Sequence, residues 1–231
     1  MKLLNLYPIQ SCNYDCPYCF FKQWLYPIES PKNKLTNPTI LRWVKKYLDP
    51  KEWLIKITGG EPGLYPGIDE LVLSLAEFGY RGIIETNGSL PIPKTDNFIR
   101  VAAWHQDKPF PLYYDVVLII KNDGDDWKSK VSCCVDNCIP YYESTFRGSS
   151  APTTLTERIE ADMKKQVSRI TAMLMVYSGG LISTCASDQN FQGSVLDLVK
   201  PIIKPLQSLQ CQTCPQTHTI DFLWDSLVKN N

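Results

Sequence analysis

Short apolar runs alternate with helical stripes of apolar residues along the first half of the chain. Residues 3–9, 53–57 and 114–120 form near-continuous apolar runs, which are typical of strands buried on both faces of a sheet. Apolar residues spaced three or four apart predict one helix with Asn37 as its N-cap and another around Ile68. Because strands and helices alternate at intervals of roughly 30 residues, the pattern predicts βαβ units and a parallel sheet.

The later elements are less regular. Residues 82–88 predict a strand with a polar tip, and the spacing over residues 95–103 indicates a weak helix. Further elements follow from the same pattern: a helix from 127 to 131, a polar connection over 144–156, a helix over 156–168, and a β-hairpin formed by 171–177 and 181–185.

Three cysteines follow the first strand with the spacing C-x3-C-x2-C, at Cys12, Cys16 and Cys19. A structural zinc site normally has four protein ligands, and no fourth cysteine or histidine lies nearby. Three cysteines on a cubane iron–sulfur cluster leave one iron open to a small molecule. The alternatives are half of a zinc site completed by distant ligands, or three buried cysteines that only pack.

A glycine-rich loop, Thr58-Gly59-Gly60-Glu61-Pro62, follows the second predicted strand. Glycines allow a backbone to approach a ligand closely, and Glu61 can accept hydrogen bonds from a ligand ammonium group. The alternative is an ordinary turn from a strand into a helix, because glycine and proline are common in such turns.

Composition narrows the classes of protein. The 231 residues suffice for one good-sized core with a small appendage, and 24 basic against 24 acidic residues give no support for nucleic-acid binding. No apolar run approaches the roughly 20 residues needed to span a bilayer, and the N-terminus does not look like a signal peptide. Nine cysteines with metal-ligand spacings favour a reducing compartment, so we expect a cytoplasmic protein.

The cysteine triplet and the Gly-Gly-Glu-Pro loop, in this order, resemble the signatures of the radical S-adenosylmethionine (SAM) enzymes. The resemblance implies a 4Fe–4S cluster on Cys12, Cys16 and Cys19 that binds SAM through its open iron. Reductive cleavage of SAM would give methionine and a 5'-deoxyadenosyl radical that abstracts hydrogen from the substrate. It also implies an incomplete parallel α/β barrel, for which we expect four to six strands and one open side.

The same resemblance implies roles for individual residues. Glu61 would hold the methionyl amine, and residues at the tip of the third strand would contact SAM or substrate. A solvated β-turn is the alternative for that tip. The expected cofactor-binding residues are Tyr18, near the adenine, with Gly59, Gly60, Glu61, Pro62, Thr86 and Asn87. No catalytic residue can be assigned; His105 is more typical of a hydrogen-bonded structural histidine than of a general acid.

The C-terminal cysteines, Cys185, Cys211 and Cys214, follow the predicted hairpin in an arrangement that resembles the twitch or SPASM extensions of radical SAM enzymes. The resemblance implies a radical SAM core over 1–150 and a cysteine-rich extension over 151–231 with an auxiliary 4Fe–4S cluster. Cys138 is the first candidate for its fourth ligand, Cys133 or Cys134 the next, and substrate a further option. A zinc knuckle that includes His218, or unligated cysteines, are the alternatives.

Extensions of this kind occur in radical SAM enzymes that act on peptides or proteins, so a peptide or protein side chain is the first expectation for the substrate. The resemblance also implies an electron donor such as flavodoxin or ferredoxin. Alternatives are an enzyme resembling 7-carboxy-7-deazaguanine synthase, an activating enzyme that installs a glycyl radical, and an iron–sulfur or zinc module without turnover.

Overall fold

The computed structural model of this protein contains a nine-stranded sheet with helices on both faces. It describes residues 1–16, 19, 35–104, 109–111, 113–121, 126–145, 169–184, 191–206 and 215–228. The strands are β1 (Lys2–Leu6), β2 (Trp53–Ile57), β3 (Arg81–Thr86), β4 (Phe98–Trp104), β5 (Val116–Lys121), β6 (Tyr141–Thr145), β7 (Ala172–Val176), β8 (Leu181–Ser183) and β9 (Gly193–Ser194). The helices are α1 (Asn37–Tyr47), α2 (Ile68–Glu77), α3 (Trp127–Asp136), α4 (Pro215–Phe222) and α5 (Trp224–Val228), with a 3-10 turn at Pro62–Leu64.

The sheet is mostly parallel and open. Its strand order is β6-β5-β4-β3-β2-β1-β7-β8-β9, and only the pairs β7–β8 and β8–β9 are antiparallel. Among the described strands, β6 and β9 are the two edges and do not pair with each other. This arrangement confirms the predicted α/β fold with an incomplete parallel barrel, although it has more strands than the four to six expected.

Alternation along the strands separates the core into two layers. Leu4 and Leu6 of β1 pack with Leu71 of α2 on one face, whereas Leu3 packs with Ile220 of α4 on the other. All five side chains are almost completely buried, and burial of each contributes about 1.5–3 kcal/mol. The result is a firmly packed sheet whose carboxyl edge supports the loops of interest. In the part of the chain that is described, no helix has the length and apolar character required to cross a membrane.

The helix predicted over residues 95–103 is wrong: Phe98–Trp104 is strand β4, between β3 and β5. Pairing on both sides overrides the local spacing, since β-branched Ile99 and Val101 pack well on a sheet. The Arg100 guanidinium also forms an ion pair with Asp115, 3.0 Å away, which joins β4 to the segment before β5.

Four of the described strands and α-helices were not predicted: β6, β9, α4 and α5. β6 is short and polar, and it ends at Thr145. The first two residues of the predicted polar connection over 144–156 therefore lie in a strand. The helix predicted at Asn37 is present, with Thr36 rather than Asn37 as its N-cap. The helix predicted over 156–168 lies outside the described residues.

The predicted hairpin near residue 175 is confirmed: β7 and β8 pair antiparallel. In addition, β7 pairs in parallel with β1 near the middle of the sheet. Strands from both predicted segments, 1–150 and 151–231, therefore share one sheet, and the division between them stays a prediction about function.

Candidate active site

The loop after β2 lies directly against the segment that connects β1 to the cysteines. The Glu61 N–H donates to the Ser11 carbonyl at 2.9 Å. A Cβ atom on Gly60 would lie 2.1 Å from that same carbonyl oxygen, so only glycine fits there. Gly59 adopts φ +131°, which L-residues rarely adopt. The two glycines thereby place Glu61 against the residue that precedes Cys12.

Glu61 is completely buried, and its carboxylate accepts three hydrogen bonds. Oε1 accepts from Thr86 Oγ1 at 2.6 Å and from the Gly63 N–H at 2.8 Å, and Oε2 accepts from the Asn87 N–H at 2.7 Å. Burial raises the pKa of Glu61, and these three bonds offset the increase only in part. Among the described residues, no cationic side chain forms an ion pair with it. The carboxylate is held in place, and no described residue compensates its charge.

Asn87 connects the tip of β3 to the cysteine loop. Its Nδ2 donates to Cys12 Sγ at 3.7 Å and to Asn13 Oδ1 at 2.9 Å, while its Oδ1 accepts from the Ser89 N–H at 2.9 Å. A second N–H, that of Tyr14, donates to Cys12 Sγ at 3.4 Å. Two hydrogen-bond donors are therefore directed at the sulfur of Cys12.

The three loop cysteines are half-buried at the carboxyl edge of the sheet. Cys19 donates its N–H to the Cys16 carbonyl at 3.2 Å and packs against Tyr7 and Met175. Within the described ranges, no three cysteine, histidine or acidic side chains converge on a single metal ion. A 4Fe–4S cluster suits the three thiols, including Cys12, because its thiolates bind different iron atoms.

On the other side of β3, Glu85 takes part in a second polar network. Lys56 Nζ lies 2.7 Å from Glu85 Oε2, and Thr219 Oγ1 donates to Glu85 Oε1 at 2.6 Å. Since the Thr219 hydroxyl has only one hydrogen, it accepts from the Tyr142 hydroxyl, 2.7 Å away. Burial alone would raise the pKa of Glu85, but the Lys56 ammonium and the hydrogen bonds lower it.

Sequence reasoning missed this second network. One signal for it was Lys56, a charged residue within an apolar strand. Asn5, its partner in register on β1, gave the same kind of signal; it is fully buried, and its amide atoms have no hydrogen-bond partner among the described residues. Thr219 and Tyr142 lie in elements that the pattern did not predict.

The structure places the other predicted site residues as follows. Pro62 is buried and begins the 3-10 turn after Glu61. Tyr18, His105, Cys185, Cys211 and Cys214 lie outside the described residues, and so do the surroundings of the His218 side chain.

The cysteines near α3 are at a different edge of the sheet. Cys138 is exposed and lies between α3 and the start of β6, where the parallel strands begin, whereas Cys12 lies where they end. Cys134 is buried against β5, and burial raises the pKa of its thiol to about 11. The described structure brings neither of them to the Cys12 loop, and ligation by Cys138 stays a prediction.

Residues 6–102 match the family model of the Radical SAM superfamily. Curated relatives include 7-carboxy-7-deazaguanine synthases from Methanothermobacter thermautotrophicus and Haemophilus influenzae, at 39% identity over 81 residues and 33% over 89. The GTP 3',8-cyclase of Stenotrophomonas maltophilia is 31% identical over 105 residues. These alignments cover 35%, 38% and 45% of this chain, but only 31%, 38% and 30% of the respective relatives.

Two solved structures share the fold over most of the chain. Streptococcus suis SuiB bound to the precursor peptide SuiA has a TM-score of 0.59 at 16% identity, covering 85% of this chain and 64% of SuiB. The anSMEcpe structure with bound AdoMet has a TM-score of 0.58 at 11% identity, covering 99% of this chain and 88% of that one. At these identities the likeness concerns the fold alone.

Proposed function

We propose that the radical SAM superfamily domain formed by residues 6–102 cleaves SAM reductively and initiates hydrogen abstraction from a substrate. Domains of this family use a 4Fe–4S cluster and SAM as cofactors. In this chain, Cys12, Cys16 and Cys19 are the residues that would hold the cluster. When bound, the cluster supplies the electron that splits SAM into methionine and a 5'-deoxyadenosyl radical.

The observation that carries this proposal is the buried carboxylate of Glu61, which has no cationic partner among the residues that the structure describes. A buried carboxylate with a raised pKa is costly to ionise, and a cationic ligand group beside it would recover that cost. SAM has such a group in its methionyl ammonium. Because Glu61 donates its N–H to Ser11, directly before Cys12, an ammonium held there would lie next to the cluster loop.

The neighbouring residues keep this carboxylate oriented. Thr86, Asn87 and Gly63 occupy three of its roughly four acceptor positions, so one direction stays available for a ligand N–H. The tight contact between Gly60 and Ser11 fixes the spacing between the two loops. Thr86 and Asn87 are therefore proposed to act by holding Glu61 and the cysteine loop, rather than solely by contacting SAM.

The first experiment compares anaerobically reconstituted wild type with Glu61→Gln. We expect both to bind iron and sulfide, and wild type to form methionine and 5'-deoxyadenosine from SAM and dithionite. Loss of a charge-assisted hydrogen bond, worth about 1.5–3 kcal/mol, should weaken SAM binding by about 10- to 100-fold. Isothermal titration calorimetry measures that affinity.

The matched control is Glu52→Gln, the same substitution at an exposed glutamate whose known partner is Lys2. It should bind SAM as wild type does. Cys16→Ala should lose the iron held by the three loop cysteines and, with it, SAM cleavage. Iron-loaded wild-type protein that does not cleave SAM under dithionite would contradict the proposed reaction.

For the substrate we propose a peptide or protein side chain. The fold resembles SuiB in its complex with a precursor peptide, and the sheet has an open side that would admit an extended chain. The test is turnover of candidate peptides, either in deuterated buffer or with a deuterated peptide. Mass spectrometry then measures the change in the peptide and the deuterium in 5'-deoxyadenosine.

A nucleotide or deazapurine substrate is the second candidate, favoured by the curated relatives named deazaguanine synthase and GTP cyclase. Their aligned segments, 81 and 105 residues long, are similar in length to the family-model match over 6–102. The similarity therefore supports shared SAM chemistry more strongly than a shared substrate. Deuterium transfer from a labelled purine, and not from peptides, would favour this candidate.

An auxiliary 4Fe–4S cluster on Cys185, Cys211 and Cys214, with Cys138 or the substrate as fourth ligand, forms part of the proposal. About eight irons per chain, falling to about four in a Cys12/Cys16/Cys19→Ala variant, would support it. About four irons falling to none would exclude the auxiliary cluster.

A flavodoxin or ferredoxin is the proposed electron donor.

A further inference from the structure

Asn87 is in contact with both halves of the candidate site. Its backbone N–H donates to Glu61 Oε2 at 2.7 Å, while its side-chain Nδ2 donates to Cys12 Sγ at 3.7 Å. The two contacts use different groups of one residue. A side-chain substitution can therefore remove the bond to sulfur and leave the bond to the carboxylate.

The carboxamide of Asn87 is fixed at both ends. Its Oδ1 accepts from the Ser89 N–H at 2.9 Å, and its Nδ2 also donates to Asn13 Oδ1 at 2.9 Å. These bonds determine which end of the amide faces the cysteine loop, because the Oδ1 acceptor is already directed at a backbone donor. The donor end is consequently the one presented to Cys12.

We propose that Asn87 is a positioning residue that sets the reduction potential of the cluster through its N–H···S bond to Cys12. This inference rests on the proposed function, since it requires the cluster at the three cysteines. Reduction adds negative charge to a cluster, and hydrogen-bond donors to its sulfurs stabilise that charge. The bond therefore raises the potential and makes reduction easier.

The experiment is an EPR-monitored redox titration of reconstituted Asn87→Leu, whose side chain is similar in size to asparagine but has no donor. We expect the ratio of reduced to oxidised cluster at a fixed potential to fall about tenfold, equivalent to 59 mV for one electron. Asn87→Asp should lower the potential further, because it places a negative charge beside Cys12. The Cys12/Cys16/Cys19→Ala variant would keep only the proposed auxiliary cluster. Its EPR signal can therefore be subtracted from that of the other proteins.

Ser89→Ala is the matched control. It removes the bond from Asn13 Nδ2 to Ser89 Oγ, in the same loop, and keeps the backbone donor to Asn87. Its potential should equal that of wild type.

A lower potential in both Asn87 variants, with an unchanged potential in Ser89→Ala, supports the inference. An iron-loaded Asn87→Leu or Asn87→Asp protein that cleaves SAM and has the wild-type potential overturns it, and leaves the proposed function intact. If wild type assembles no cluster on the three cysteines, the proposed function fails first and this inference fails with it.

Discussion

Glu61 and Glu85 are two carboxylates on either side of the end of β3, and their surroundings differ in one respect. Both are desolvated and both accept hydrogen bonds from threonine hydroxyls. Glu85 also has the Lys56 ammonium 2.7 Å away, and its pKa is lowered; the described donors to Glu61 are all neutral, and its pKa is raised. The cationic partner of Glu85 accounts for the opposite directions of the two pKa shifts.

The difference distinguishes a completed site from an incomplete one. The network around Glu85 has its countercharge inside the fold, so its role is to join β2, β3 and α4. The carboxylate of Glu61 has its orientation fixed by hydrogen bonds, but within the described part of the chain nothing compensates its charge. A buried group of that kind, at the carboxyl edge of a parallel sheet, is typical of ligand binding.

The two carboxylates also affect stability with opposite pH dependence. Because the folded pKa of Glu85 is lowered, its contribution to stability is present above the unfolded value near 4.5 and is lost as the pH falls through the folded pKa. For Glu61 the folded pKa is raised, so its favourable contribution is present below 4.5 and is lost as the pH rises through the folded pKa.

The largest effect is expected from Lys56→Met, which would give Glu85 the uncompensated surroundings of Glu61. Breaking a buried ion pair on one side costs about 3–5 kcal/mol in the free energy of unfolding. Anaerobic urea denaturation followed by circular dichroism measures it. The control, Lys2→Met, removes an exposed ion pair and should cost less than about 1 kcal/mol. Equal costs for the two variants would show that the buried ion pair contributes no more to stability than the exposed one.

A smaller effect is expected on SAM binding as a function of pH. An ammonium ligand requires ionised Glu61, so affinity should fall by up to about tenfold per pH unit below the pKa of that carboxyl. Because that pKa is raised, the decline should begin at a higher pH than for an ordinary glutamate. Calorimetric titrations between pH 5 and 8, with iron content checked at each pH, measure it. Glu61→Gln should bind weakly with no such decline; a parallel decline in that variant would assign the titration to another group.

Local sequence was sufficient to predict that two stretches of chain lie together at one edge of the sheet. The cysteine triplet and the Gly-Gly-Glu-Pro loop each follow one strand, and parallel strands bring such tips to one edge. The contact between Gly60 and Ser11 shows that the two loops lie side by side at that edge. The α/β class could be predicted because the periodicity of apolar residues is also a local property of the sequence.

The rest required tertiary register. Lys56 and Glu85 meet only because β2 and β3 pair in a particular alignment, and Thr219 reaches them from a helix whose sequence has little amphipathic pattern. Strand β4 was predicted as a helix because its identity depends on the strands beside it. The charge state of Glu61 likewise depends on which side chains are not near it, a property that no single stretch of sequence contains.

The smallest expected effect, from Thr219→Val, tests whether the two carboxylates are independent. The substitution leaves Glu85 and the Tyr142 hydroxyl each short of one buried hydrogen bond, which should cost about 1–3 kcal/mol by urea denaturation. Thr171→Val, at an exposed threonine bonded to a backbone carbonyl, should cost much less. SAM affinity should be unchanged in both, because adjacent residues on β3 face opposite sides of the sheet, and of Glu85 and Thr86 it is Thr86 that donates to Glu61. If Thr219→Val weakened SAM binding as much as Glu61→Gln does, the network around Glu85 would be part of the cofactor site, and the distinction between a structural and a ligand-binding carboxylate would fail.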